Sequence, residues 1–267
     1  MDSGDIKYLI RSGSFKFMKD RTNKTHSLES YEYKGNPVFY RTCTSDMMII
    51  HEILLKKGYS SEYWLPSEIE PEVILDIGGN IGITSVYLTN KFPNAKIYTF
   101  EPVPQNYEIL KKNTENYDNI SIYNVGLGCE DGSFEIYMSE DDENFGGASL
   151  YAEAGGVNIK ATTKCQIRNI DEILNEIGIK KIDLIKIDTE GAEYDILTTI
   201  NESILDQVKW IVGELHGNRD FELLTYLESM NFNVSMKKAI DNRLFMFHCA
   251  KQAIVDKLSK KDKKNIL

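Results

Sequence analysis

The chain has 267 residues, enough for one large domain or for a domain with an appendage. Its 41 acidic against 31 basic side chains give a net charge of −10, which argues against the basic face that nucleic acid requires. Cys43, Cys129, Cys165 and Cys249 stand without any Cys-x-x-Cys spacing, so they read as reduced thiols in a cytoplasmic protein, not as a zinc site or a disulfide frame.

The first 30 residues are polar and weakly patterned. Met1 to Tyr8 lacks the basic start and apolar centre of a signal peptide, and no apolar run in the chain approaches the roughly 18 residues of a membrane span. Tyr31 to Tyr33 and Val38 to Tyr40 flank the turn signal Lys34-Gly35-Asn36-Pro37 and predict a hairpin. Thr44 or Ser45 is placed to cap a helix over positions 46 to 57, apolar at Met47, Ile50, Ile53 and Leu54, with Gly58 at its end. A loop with Tyr59, Tyr63 and Trp64 follows.

Val73 to Gly82 is the most informative stretch. Val73, Ile74, Leu75 and Ile77 form a short apolar run suited to a strand of a parallel sheet buried on both faces. It runs into Gly78-Gly79-Asn80-Ile81-Gly82 and then into helical spacing at Ile83, Val86, Tyr87 and Leu88. A second strand, Lys96 to Phe100, ends on Glu101. A strand, a glycine turn, a helix and a second strand ending on a carboxylate form a nucleoside-binding unit, with Glu101 placed to take both ribose hydroxyls. The dinucleotide pattern Gly-x-Gly-x-x-Gly fails, because from Gly78 it would need glycines at Asn80 and Ile83. Asp76, at the end of the first strand, would oppose a pyrophosphate but would suit a ligand carrying an ammonium or a sulfonium. S-adenosylmethionine carries both, together with a ribose.

The remainder continues the alternation. Pro102 to Asn116 predicts a helix and Ile120 to Asn124 a third strand; the turn Val125 to Gly128 is where an adenine edge would lie, with Asn124 as its hydrogen-bond partner. Phe134 to Met138 and Val157 to Cys165 read as an extra strand pair. The acidic stretch Ser139 to Leu150 between them is either a solvated loop or a lid. A helix over Asn169 to Gly178, a strand over Asp183 to Asp188, a helix from Glu193, a strand over Val208 to Glu214 and a helix over Phe221 to Met230 follow. Phe232 to Met236 and Leu244 to His248 then predict a hairpin that sets one antiparallel strand into the sheet. Residues from Lys251 onward form a lysine-rich tail.

Three motifs occur in order: Asp76-Ile-Gly-Gly-Asn-Ile-Gly82, Phe100-Glu-Pro102 and Lys186-Ile-Asp-Thr-Glu-Gly-Ala-Glu193. Together they resemble the FkbM family of S-adenosylmethionine-dependent methyltransferases, over roughly residues 36 to 249. The resemblance implies a Rossmann-like class I methyltransferase fold, α/β with a mostly parallel doubly wound sheet and a C-terminal antiparallel hairpin. It implies O-methylation of a hydroxyl on a sugar, glycan or small natural product. Gly146, Gly147 and Ser149 also resemble a recurring stretch of that family. The expected organisation is an appendage over 1–70, a methyltransferase domain over 71–250 and a tail over 251–267.

Ligands of an open α/β sheet lie outside the carboxyl ends of its strands. Asp76, Gly78, Gly79, Asn80, Gly82, Glu101, Pro102, Asn124 and Asp188 are therefore the expected cofactor residues. Ser149, Glu190 and Tyr59 are expected toward the substrate, and His216, Asp188, Glu214 and Lys186 toward catalysis. Asp46 and Tyr59, ahead of the first core strand, either reach the ligands or serve only as a helix-turn acid and as packing. Glu190 either meets substrate or complements a helix dipole.

The acceptor hydroxyl needs a base, and His216 is the favoured one because it alone of four histidines ends a core strand. Glu214 or Asp188 would hold its ring. Lys186 is a partner of Glu214, or a base if its pKa is depressed. A purely structural role for these groups ranks below the base, and a divalent cation on Asp188, Glu214 and His216 ranks below both. A nicotinamide oxidoreductase and a non-catalytic S-adenosylmethionine-binding protein are the competing functions.

Overall fold

The apolar run from Val73 forms the strand around which the main sheet is ordered. The structure, a computed structural model, describes residues 3–139, 159–216, 218–239 and 245–266. The stretch 140–158, with Ser149 and most of the expected lid, lies outside the described residues.

Helices α1 (Ser3–Ser12) and α2 (Phe15–Asp20) precede the hairpin of β1 (Leu28–Tyr33) and β2 (Asn36–Arg41). Lys34 and Gly35 turn that hairpin with φ of +49° and +86°, as a two-residue turn between twisted strands requires. The predicted helix over 46 to 57 is split: α3 (Asp46–Ile50) passes into a π-helical turn, His51–Leu55. The core then runs β3 (Val73–Ile77), α4 (Ile83–Lys91), β4 (Lys96–Phe100), α5 (Pro104–Thr114) and β5 (Ile120–Tyr123). β6 (Gly126–Gly128), β7 (Gly132–Ser139) and β8 (Ile159–Asn169) form a separate three-stranded sheet, so the Val125 to Gly128 turn is in part a strand. The chain returns through α6 (Ile170–Glu176), β9 (Leu184–Ile187), α7 (Glu193–Thr199), α8 (Glu202–Leu205), β10 (Trp210–Leu215) and α9 (Asp220–Ser229). β11 (Phe232–Ala239), β12 (Phe245–Lys251), α10 (Gln252–Val255) and α11 (Lys260–Ile266) complete it.

The main sheet has the order β5-β4-β3-β9-β10-β12-β11. β5, β4, β3, β9 and β10 are parallel, and β12 runs antiparallel to both neighbours. The predicted hairpin therefore does set one reversed strand into the sheet. After β3 the chain builds outward to β5 and then returns to lay β9 on the other side of β3. The crevice outside the carboxyl ends at this reversal is where such sheets bind ligands.

Strand periodicity decides what faces that crevice from each side. Ile74, Leu184 and Val212 pack with the N-terminal segment, including Tyr63 and Leu65, on one face. Leu75, Ile77, Ile185, Ile187 and Ile211 pack with α6, α7 and α9 on the other. The register pairs Asp76 with Lys186 and Lys186 with Val212. Asp76, Lys186, Asp188 and Glu214 thus share the face that the N-terminal segment covers. Both faces are closely filled, and truncating Ile74 or Ile185, each fully buried, is expected to cost about 2–5 kcal/mol.

Candidate active site

A cleft of about 640 Å³, open mouth included, lies at the reversal of strand order, lined by residues 77–78 and 80 after β3, 100–103 after β4 and 188–190 after β9. The turn after β3 is held against β4: the amides of Gly78 and Gly79 both donate to the Phe100 carbonyl, each at 3.0 Å. Gly78 has φ +79°, and a Cβ there would stand 1.8 Å from the Asp188 carbonyl oxygen, so the approach of β3 to β9 requires glycine.

Glu101 is buried at the floor of this cleft and accepts from the amides of Asn80 at 2.7 Å and Val103 at 2.9 Å. Burial pushes its carboxyl up to about 7, against the pull of those two amides. Asn80 takes a left-handed φ of +49°, and its Oδ1 is buried with no hydrogen-bond partner. A buried carboxylate and an orphaned acceptor fit a ligand that brings hydroxyl or ammonium donors, as S-adenosylmethionine does. Pro102 lines the same cleft, with Gly126, Leu127 and Ile167 of the small sheet opposite.

Several expected cofactor residues lie behind the cleft. Asp76 is fully buried; its Oδ2 accepts from Ser85 Oγ at 2.5 Å and its Oδ1 lies 3.5 Å from Lys186 Nζ. The cation that answers Asp76 is therefore Lys186, which corrects its assignment to a cofactor ammonium. Gly79 and Gly82 serve packing, since a Cβ would meet Thr99 Cγ2 at 2.3 Å and Leu110 Cδ1 at 2.7 Å respectively. Asn124 donates its amide to the carbonyls of Glu101 at 2.8 Å and Pro102 at 3.3 Å. It braces the Phe-Glu-Pro turn, and the side chains across from that turn are Leu127 and Ile167.

Past β9 and β10 a second set of groups converges. His216 has a side chain 4% exposed. Its Nδ1 lies 3.3 Å from Glu193 Oε1, and its Nε2 lies 3.3 Å from Glu214 Oε2, 3.7 Å from Glu190 Oε2 and 3.9 Å from Asp188 Oδ1. Burial alone would lower its pKa, but Glu193, Glu214, Glu190 and Asp188 outweigh burial and push it up to about 12. An imidazole so held is charged at neutral pH and has no lone pair to take a proton, which removes the reason for choosing it as base. Lys186 is corrected likewise. Burial would lower it, yet Asp76, Asp188 and Glu214 leave its pKa raised, and its ammonium donates to the Gly78 carbonyl at 2.7 Å.

The carboxylates divide in two. Glu193 and Glu214 are held below the usual range in spite of burial, mainly by His216. Glu190 is pushed up to about 8 by burial, and Asp188 is raised by burial and by Glu214. Glu190 precedes α7 with a left-handed φ of +56°, so it is outside the helix whose dipole it was to complement. A bulky residue held in that region is strained, and such strain collects at functional sites.

The N-terminal segment adds two groups that the sequence reading did not assign. Tyr63 donates to Asp188 Oδ2 at 3.0 Å, and the Glu62 carboxyl lies in hydrogen-bonding range of Glu214. Tyr59, expected here, instead donates to Asp262 of α11 at 2.5 Å. Asp46 is buried in an ion pair with Arg41 at 2.8 Å and also accepts from the Arg41 amide, contacts that a structural acid makes.

The Methyltransferase FkbM domain family matches residues 76–234. The antimetabolite synthetase AmbE of Pseudomonas aeruginosa is 27% identical over 205 residues, covering 64% of this chain and 10% of that protein. The 2-O-methyltransferase NoeI of Sinorhizobium fredii is 26% identical over 163 residues, covering 56% of this chain and 65% of NoeI. The crystal structure of Methyltransferase FkbM from Methylobacillus flagellatus aligns with a TM-score of 0.51 at 18% identity, over 78% of this chain and 51% of that one. The chain thus spans a tenth of AmbE and about half of the solved structure, and the last likeness speaks for the fold. The match over most of the region that carries the cleft and both groups of carboxylates shows that this chain belongs to the FkbM family of S-adenosylmethionine-dependent methyltransferases.

Proposed function

We propose that the protein transfers a methyl group to a hydroxyl of a sugar, glycan or small natural product, with Glu190 as the base. The observation that carries this reading is the position of Glu190. It lines the cofactor cleft, lies 3.7 Å from His216 Nε2, and is a carboxyl pushed up to about 8 by burial. A general base works best when its pKa is near the operating pH. NoeI, a 2-O-methyltransferase by name, supports a hydroxyl acceptor.

S-adenosylmethionine, when bound, supplies a methyl carbon on a sulfonium, so the acceptor oxygen forms its C–O bond as the C–S bond breaks with its electron pair on sulfur. Glu101 and Asn80 would hold the ribose side, and Pro102, Leu127 and Ile167 the base side. Asp188, which lines the cleft and is fixed by Tyr63, would orient the hydroxyl. Glu190 takes the hydroxyl proton as the oxygen attacks. In the metal-free site the charge on His216 keeps Glu190, Asp188 and Glu214 from repelling one another.

Incubation with S-adenosylmethionine and a panel of glycans and polyols should release S-adenosylhomocysteine and an O-methylated product, read by mass spectrometry. A product methylated at nitrogen or carbon would overturn the hydroxyl assignment.

A further inference from the structure

The groups around His216 are arranged as ligands and outer supports of a metal ion, and we infer that Asp188 Oδ1, Glu214 Oε2 and His216 Nε2 form a site for a divalent cation of the magnesium or manganese class. One ligand atom from each of the three lies within 4.8 Å of the others. Nε2 is 3.3 Å from the Glu214 oxygen and 3.9 Å from the Asp188 oxygen. Two ligands each about 2.1 Å from a common ion stand about 3.0 Å apart at a right angle and about 4.2 Å apart in line, so both distances fit one ion.

The outer contacts argue for the same site independently of the three distances. A metal-ligating histidine commonly gives its other ring N–H to a carboxylate, and ligating carboxylates are themselves hydrogen-bonded. Here Nδ1, the ring nitrogen turned away from the site, meets Glu193 Oε1 at 3.3 Å. Glu193 is 1% exposed and is itself fixed by the amides of Thr189 and Gly191 at 3.0 Å. The outer oxygen of Asp188, Oδ2, accepts from Tyr63 at 3.0 Å. In His216 and Asp188 the inner atom is therefore left to the site while its partner atom is tied to a group outside.

Oxygen and imidazole ligands together suit magnesium or manganese better than the softer metals that thiolates select.

The role of the ion rests on the hydroxyl-acceptor reading, whereas its binding does not. An ion on these three atoms would displace the proton from His216 Nε2 and replace its positive charge; it would take the acceptor oxygen as a further ligand and lower its pKa, so that the proton passes more easily to Glu190.

The test is a titration of the protein, stripped with EDTA, with manganese chloride, followed by loss of the free-ion electron paramagnetic resonance signal. One manganese per chain is expected, with modulation from an imidazole nitrogen in the spin-echo spectrum. Asp188→Asn and Glu214→Gln should each abolish or strongly weaken binding, and Glu193→Gln should weaken it about 10- to 100-fold through the loss of ring orientation. No stoichiometric binding to the wild type, no nitrogen modulation, or binding unchanged in Asp188→Asn and Glu214→Gln would overturn the site. Far-UV circular dichroism of each variant separates loss of the site from loss of the fold. Calorimetric binding of S-adenosylhomocysteine on the same samples reports on the methyltransferase reading separately, so failure of either can be told from failure of the other.

Discussion

At the end of β4 the Glu101 carboxyl is met by two backbone amides, those of Asn80 and Val103. Past β9 and β10, Asp188, Glu190 and Glu214 are met chiefly by side-chain cations, His216 and Lys186, and Glu193 by His216 together with the amides of Thr189 and Gly191. Backbone donors are set by the path of the chain and do not change charge, so the first region is prepared for a ligand in advance. Side-chain cations compensate charge only together, so in the second region every group sets the protonation of the others. The two regions should therefore fail differently when cut: the first in affinity, the second in rate and stability.

The largest effect is expected at Glu190. Glu190→Gln should lower the single-turnover rate of methyl transfer by about 10² to 10⁴, while the affinity for S-adenosylhomocysteine stays at the wild-type value. A variant with wild-type rate would show that the base lies elsewhere.

His216→Ala tests the second region as a charge network. Removing one member of a buried ion pair typically costs about 3–5 kcal/mol, because the partner charge stays behind. The folded pKa of His216 is raised to about 12 from an ordinary 6.5. Its contribution to stability is therefore complete below the unfolded value and shrinks as pH rises toward the folded one. On metal-free protein the gap between wild-type and variant melting temperatures should be wide near pH 6.5 and narrower at pH 9. A gap that widens with rising pH would contradict a charged imidazole.

In the first region, Glu101→Gln should weaken S-adenosylhomocysteine binding by about 1.5–3 kcal/mol, the scale of hydrogen bonds to a charged acceptor. Because Glu101 is pushed up to about 7 and ribose hydroxyls donate to its ionised form, wild-type affinity should rise with pH through that value. The variant should show no such rise.

The smallest contrast is between two tyrosines of one loop. Tyr63→Phe removes the buried bond to Asp188 and should cost about 0.5–1.5 kcal/mol of stability. Tyr59→Phe removes only a surface contact with Asp262 and should leave methyl transfer unchanged. Equal losses of stability in the two variants would erase the distinction between them.

The sequence made the first region legible because it is built from neighbours. The apolar run of β3, the glycines after it and the carboxylate after β4 obey local rules of strand and turn. Period-two alternation also accounts for Asp76, Lys186, Asp188 and Glu214 sharing one face. Local rules do not supply partners. Asp76 looked available to a ligand until β9 placed Lys186 beside it, 110 positions along the chain. His216 was correctly placed at a strand end, but its charge depends on Glu190 and Glu193, which the chain positions through a left-handed turn ahead of α7. Glu62 and Tyr63 belong to a loop whose path over the sheet no periodicity reports. The one available signal was the aromatic cluster before β3, and it did not separate Tyr63 from Tyr59.

The division between the regions is tested most directly by calorimetric titration of S-adenosylhomocysteine into wild type, Glu101→Gln and Glu190→Gln at pH 8. A loss of about 1.5–3 kcal/mol confined to Glu101→Gln, with Glu190→Gln indistinguishable from wild type, is the predicted result. A loss confined to Glu190→Gln, or shared equally by both, would contradict it.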